Sequence, residues 1–232
     1  KSASEQAGSG RPRTGVWMEI SYGFPGSVPP SATAVSIALH ERDVATYQHC
    51  DRVARLSVLL GRACGLPARD LTLLHIAATF HDIGKIGIPD RILKKATALN
   101  AREWSVMKSH SVRSERIVLA AGFDQGETIA KAVRHHHERF DGTGYPDGLA
   151  GEEIPILSRI IAVADAYDAM LHRRYAVRRT HREIVEELLR EAGRQHDPFL
   201  VETFVRLVYP GHLARKPNVA RGRGRLEIPI LN

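Results

Sequence analysis

From residue 33 to about residue 209, apolar side chains recur three and four positions apart, the spacing that lines one face of an α-helix. Val53, Leu56, Leu59 and Leu60 trace one such face, and Gly65-Leu66-Pro67 stops it with a glycine terminator followed by proline. A second apolar helix is predicted over about 69–81. Asn100 with Glu103 has the form of a capping box and opens another. Helices over 111–121, 126–138 and 155–172 follow. Thr180 with Glu183 is a capping box for a helix through Ala192, and Asp197-Pro198 reads as an N-cap followed by proline at the first helical position. The glycine-rich run 141–151 is expected to be a loop. No hairpin series and no internal repeat interrupts this pattern, so the fold class is all-α.

The flanks differ from this body. Residues 1–32 are rich in Gly, Ser and Pro without periodicity, and are read as a flexible leader or linker remnant. A start at Lys1 suggests that something upstream was removed. The domain proper is placed at 33–209 and a basic C-terminal tail at 210–232. Of the formal net charge of +7, most lies in that tail, where Arg215, Lys216, Arg221, Arg223 and Arg225 face only Glu227. No aromatic residue is interleaved with these cations for base stacking, so nucleic-acid binding is not expected.

Composition excludes other classes. With 43% hydrophobic and 25% charged residues, the chain is an ordinary globular sequence, not a disordered one. Its apolar runs, such as Ile160-Ile161-Ala162-Val163-Ala164, are too short to span a bilayer, and nothing marks secretion, so a cytoplasmic location is expected. Cys50 and Cys64 fall on one predicted helix, about 21 Å apart at 1.5 Å per residue. A disulfide needs less than about 7 Å, so both are expected as reduced thiols, with Cys50 a packing residue. The unusual entry in the composition is histidine, at twelve residues.

Two runs carry chemistry. In His81-Asp82-Ile83-Gly84-Lys85, imidazole and carboxylate stand together at a predicted helix end, which Gly84 would terminate. Both donors suit a divalent metal, the two oxygens of Asp82 could bridge two ions, and Lys85 brings a cation to where an anionic substrate would sit. The second run is His136-His137-Glu138, with the loop Phe140-Asp141-Gly142-Thr143-Gly144-Tyr145-Pro146 behind it. Neighbouring helical side chains point about 100° apart, so this pair shares a site only at a helix end or by addressing different ions. Taken singly, each run also fits a solvated surface, and His135 fits that reading well.

Taken in order, these residues resemble the HD-GYP domain, a bacterial branch of the HD metal-dependent phosphohydrolases. The resemblance runs over about 40–205. It includes Arg42-Asp43, His49-Cys50-Asp51-Arg52-Val53, the run from His81 to Asp90, and Glu103, Met107, Lys108 and His110. It continues through the run from His136 to Pro146, with Gly144, Tyr145 and Pro146 as signature loop, then Ile154-Pro155, the run from Arg159 to Ala169, and Asp197-Pro198. It implies an HD helical bundle with the signature loop between helices, and seven metal ligands: His49, His81, Asp82, His110, His136, His137 and Asp165. This nitrogen-rich set suits Fe, Mn, Zn, Co or Ni better than Mg or Ca, and the family implies two divalent ions, iron or manganese most often.

The resemblance further implies hydrolysis of cyclic di-GMP to linear pGpG, and sometimes on to GMP, by a hydroxide bridging two ions. Asp82 would bridge from the protein side and Lys85 would stabilise phosphate charge. Substrate-binding candidates are Lys85, Asp168, Arg173 and Arg174. The last two divide the family's cues: Arg173 keeps the Arg-x-Tyr spacing to Tyr175, while Arg174 keeps the distance from Asp165. Ala45 stands where some members carry a glutamate for a third metal, so two ions are expected. Ser114 and Phe140 replace a usual glycine and a common tryptophan, and read as packing variations. Other functions stay open: a signalling module binding the dinucleotide or a diguanylate cyclase (GGDEF) protein through the signature loop, or an HD hydrolase of another nucleotide. An upstream regulatory domain, frequent in the family, is absent from this sequence.

Overall fold

The computed structural model describes residues 29–172 and 179–210. Most of the leader, the tail from residue 211 on, and both Arg173 and Arg174 lie outside the described residues. Among those described there are ten α-helices and no strand. They are α1 (Pro30–Arg42), α2 (Val44–Ala63), α3 (Ala68–Phe80), α4 (Asp90–Leu93), α5 (Ala101–Lys108), α6 (His110–Ala120), α7 (Gly126–Arg134), α8 (Ile156–Leu171), α9 (His181–Arg190) and α10 (Pro198–Val208). Short 3-10 turns at Ile83–Gly87 and Gly151–Glu153 follow α3 and precede α8.

Local chemistry sets most of the boundaries. Asp43 caps α2 by accepting from the backbone N–H groups of Ala45 and Thr46 at 3.1 and 3.2 Å. The capping boxes expected at Asn100–Glu103 and Thr180–Glu183 are both formed, and Asp197 accepts from Phe199 and Leu200 with Pro198 in the first turn of α10. Each cap satisfies N–H groups that a helix start leaves without partners. Gly65 follows α2 at φ +81°, a left-handed conformation that costs glycine little.

Three boundaries differ from the sequence expectation by more than one residue, the first being the start of α1 at Pro30, inside the stretch read as leader. The helix expected to reach Ala192 ends at Arg190. The one expected to reach residue 138 ends at Arg134, because His136 turns its ring back and donates Nδ1–H to the carbonyl of Val133, an acceptor a continuing helix would use for the amide of His137.

The core forms where α2 packs on α3 and α8, with α7 behind α3 and α10 closing the far side. Leu60, Leu74, Ile129, Ile160, Ile161, Ile184, Leu200 and Phe204 are fully buried there. Each such side chain contributes about 1.5–3 kcal/mol relative to exposure. Cys50 is buried and Cys64 partly buried, both as free thiols, and burial raises the pKa of each, that of Cys64 to about 11. Neither is a reactive thiolate. Among the described residues, no helix is long and apolar enough to cross a membrane.

Candidate metal centre

Three histidines reach the centre by one local device. His81, His110 and His136 each stand just beyond a helix end and donate Nδ1–H to the carbonyl three residues earlier: Ala78 at 2.7 Å, Met107 at 2.8 Å and Val133 at 2.6 Å. These carbonyls lie in the last turns of α3, α5 and α7, where a helix leaves acceptors unpaired. The bond fixes the tautomer and leaves Nε2 as a bare lone pair directed inward. Three helix C-termini therefore converge on one point, and their partial negative charge favours a cation there.

The donors fit a metal. His110 Nε2 lies 3.5 Å from His136 Nε2 and 3.1 Å from His137 Nε2. With the first two protonated at Nδ1, their inward lone pairs face each other, an arrangement a cation between them would resolve. His81 Nε2 and Asp82 Oδ1 are fully buried without a hydrogen-bond partner, which fits donors to a metal.

Asp82 divides the centre into two groups. With His110, His136 and His137 it forms one set of donors, and with His49 and His81 another. Its Oδ1 lies 3.2 Å from His110 Nε2, whereas Oδ2 lies 3.5 Å from His81 Nε2 and 3.9 Å from His49 Nε2. Asp165 joins the second group, with Oδ1 at 2.9 Å from His49 Nε2. Lys85 is ion-paired to Oδ2 of Asp82. Five of the other six expected ligands thus gather around Asp82, and Asp165 joins them through His49. Gly84, expected to end the preceding helix, lies inside the 3-10 turn, and its role is a close approach to α6.

Charge differs between the two groups. Burial lowers the pKa of His81, His110, His136 and His137, the last to about 3, so all four are neutral near pH 7. Burial also disfavours charge on His49, but hydrogen bonds to Asp165 and Asp168 outweigh it and raise its pKa to about 9. Burial likewise opposes ionisation of Asp82 and Asp165, yet the surrounding cation and imidazoles hold both below the usual carboxylate range. Below pH 9 a metal bound through His49 Nε2 must expel one proton, and its affinity falls as pH falls. The other group has no proton to lose. Calorimetric metal titration at pH 7 in buffers of different ionisation enthalpy should resolve one step releasing about no proton and another releasing about one. Equal proton release in both steps would contradict this asymmetry.

Asp168, expected at the substrate, lines the larger cavity beside the centre, but its carboxylate is committed to protein partners. Its side chain is 2% exposed, it accepts Nδ1–H of His49 at 2.7 Å, and Arg52 holds both oxygens at 2.8 and 2.9 Å. These contacts hold the His49 ring, a candidate ligand, in one orientation, and sequence reasoning missed both them and Arg52. The one signal available was the placement of Arg52 one helical turn beyond His49. Replacing Asp168 by Asn should weaken metal binding about 10- to 100-fold, measured by competition with a chelator. Unchanged affinity would remove it from that role.

The signature loop packs on the centre. The Tyr145 ring stacks on His137 with centroids 4.9 Å apart, the Lys108 ammonium lies over the Tyr145 ring at 5.5 Å from its centroid, and burial raises the Tyr145 phenol's pKa. The Tyr145-Pro146 peptide is cis. A Cβ at Gly144 would lie 2.2 Å from the amide nitrogen of Arg139, so only glycine permits this approach. Glu138 holds the loop from beneath, accepting from Asp147 and Gly148 amides at 2.7 and 3.1 Å. His135, left out of the ligand set, binds Asp147 through Nε2 at 2.9 Å. Ser114, read as a packing variation, accepts from the amide of Gly84 at 2.8 Å and ties the central run to α6.

A model of the HD domain family matches residues 34–200, which include every ligand candidate. A cyclic di-GMP phosphodiesterase of Thermotoga maritima is 41% identical over 167 residues, 72% of this chain and 45% of that protein. A 3′3′-cGAMP-specific phosphodiesterase of Vibrio cholerae is 37% identical over 166 residues, 71% of this chain and 32% of that protein. The chain therefore spans less than half the length of these curated relatives. The crystal structure of a cyclic GMP-AMP-specific phosphodiesterase from Vibrio cholerae shares the fold, with TM-score 0.61 at 20% identity over 82% of this chain and 51% of that one. The chain belongs to the HD domain family, in its HD-GYP branch.

Proposed function

We propose that this chain is a metal-dependent phosphodiesterase that opens cyclic di-GMP to linear pGpG. The observation that carries this reading is Asp82, whose two oxygens face two separate groups of ligand atoms. His110, His136 and His137 would hold one ion, His49, His81 and Asp165 the other, with Asp82 shared. When bound, two divalent ions would supply Lewis acidity to the phosphodiester and lower the pKa of an attacking water.

The chain's own residues do the rest. Asp168 and Arg52 orient His49, and three helix-end carbonyls hold the other imidazoles. A cavity of about 830 Å³ opens beside them, lined by Lys85, His49, Tyr145 and Trp104 among others. Lys85, ion-paired to Asp82, 24% exposed and lining this cavity, would bind a phosphate oxygen as negative charge builds. Arg173 and Arg174 remain candidates for a second phosphate contact.

The test is anaerobic incubation of iron- or manganese-loaded protein with cyclic di-GMP and, in parallel, 3′3′-cGAMP, followed by chromatography. Loss of cyclic di-GMP with pGpG appearing first, at two ions per chain, is expected. Binding without turnover would favour a signalling module instead. Faster turnover of 3′3′-cGAMP would change the substrate assignment, and three ions in active protein would defeat the two-ion reading.

A further inference from the structure

A second cavity, of about 530 Å³, opens onto the same centre from its other side. It touches His136, His137 and Asp165, and it shares Trp104, His137 and Ala169 with the larger cavity. The two spaces therefore meet at the metal ligands with one indole at their common rim. A cyclic dinucleotide whose phosphodiester sits at the ligands must send its bases outward, and these are the two described spaces adjoining that point.

The rim residue suits a base. Trp104 is 47% exposed, and α5, which carries it, buries none of its residues. An exposed indole on a helix without core contacts is not there for packing. It offers a flat aromatic face, the surface on which a nucleobase stacks.

The wall residues say which base. Glu191 and Gln195 line the second cavity beside Arg139. Glu187 also lines it, but Arg190 and Arg179 engage its carboxylate. Among the described residues, the ion partner of Glu191 is Arg139, through one long contact of 3.6 Å to Oε2, so the carboxylate keeps acceptor lone pairs on both oxygens. Guanine presents N1–H and the exocyclic N2–H side by side, and a carboxylate accepts both in parallel, as it does a guanidinium. Adenine presents one donor and a ring-nitrogen lone pair at that edge. The lone pair would face the carboxylate and repel it.

We propose that the second cavity is a guanine subsite, in which Trp104 stacks on the base and Glu191 reads its Watson–Crick edge. The inference rests on the cyclic dinucleotide reading of the centre and specifies how this chain chooses among such substrates. It requires one guanine and leaves the second base to the larger cavity.

The chain has two tryptophans, so Trp17→Phe leaves Trp104 as the single indole. Stopped-flow mixing of this manganese-loaded variant with cyclic di-GMP or cyclic di-AMP reads base stacking as fluorescence quenching before turnover. Steady-state kinetics on both substrates, with and without Glu191→Gln, read selectivity. Quenching is expected with cyclic di-GMP and not with cyclic di-AMP. Glu191→Gln should raise KM for cyclic di-GMP about tenfold with kcat nearly kept, and should narrow the preference over cyclic di-AMP. Trp104→Ala should weaken binding by about tenfold. Hydrolysis without Trp104 quenching, or a preference unchanged in Glu191→Gln, overturns the subsite and leaves the phosphodiesterase reading standing. Guanine-selective quenching without hydrolysis of either substrate supports the subsite and defeats that reading. Absence of both overturns the two together.

Discussion

Asp82→Asn should lower turnover of cyclic di-GMP by about a thousandfold or more and cut the metal content of the purified protein below two ions per chain. The substitution is nearly isosteric, so its effect is chemical. An amide keeps one carbonyl oxygen as a donor and replaces the other with an NH2 group that cannot coordinate. Whichever way the amide turns, one of the two groups of ligands loses its shared atom. The formal negative charge at the midpoint disappears as well, and with it the pairing of Lys85. A single-ligand residue such as His137 belongs to one group only, so His137→Ala should leave more residual metal than Asp82→Asn. Metal content by elemental analysis, beside chromatographic assay of product, checks both. Two retained ions with activity within tenfold of the unsubstituted protein would remove Asp82 from its place between the ions.

The helix caps were legible in the sequence because each is a conversation across three residues. Asn100 with Glu103, Thr180 with Glu183, and Asp197 with the amides of Phe199 and Leu200 need nothing from the rest of the chain. The end of α7 was not legible, because the ring of His136 takes the carbonyl that would have carried the helix onward. That is a demand of the site overriding a local preference. The same reason hid the contacts of Asp168. In sequence it is an aspartate one turn beyond Asp165, which suits a substrate contact, but its partner Arg52 lies 116 residues away. The candidate ligands were legible as an ordered family pattern and not as isolated residues. What no pattern could give is the division of labour at Asp82, since which oxygen faces which histidine depends on how α3, α6 and α8 meet. Ser114 is the sharpest case: a departure from the family's usual glycine that reads as filler and proves to accept a backbone hydrogen bond inside the central run.

Gly84→Ala should be as damaging as loss of a ligand, though Gly84 touches no metal. A Cβ there would lie 2.1 Å from the carbonyl oxygen of His110 and 2.6 Å from the amide nitrogen of Ser114. Both are backbone atoms of α6, so no rotamer change relieves the contact, and the helix or the 3-10 turn must move. Movement of α6 carries His110, whose Nε2 lies 3.2 Å from Asp82 Oδ1. Movement of the turn carries Asp82 and Lys85. Either way the spacing between ligands changes by a large fraction of an ångström, and misplacement on the order of 1 Å costs about a hundredfold in rate. The overpacking itself should destabilise the fold by about 1–3 kcal/mol or more. Two controls isolate the cause. Ser114→Ala removes one hydrogen bond from the same contact without adding volume, and should cost about 1 kcal/mol with the metal retained. Gly126→Ala, at the start of α7 where an added Cβ meets nothing within 4 Å, should leave stability unchanged or raise it slightly. Thermal unfolding and metal content of the three variants order them, and a Gly84→Ala protein that keeps two ions and its melting temperature would show that α6 and the central run yield where their backbone contact implies they cannot.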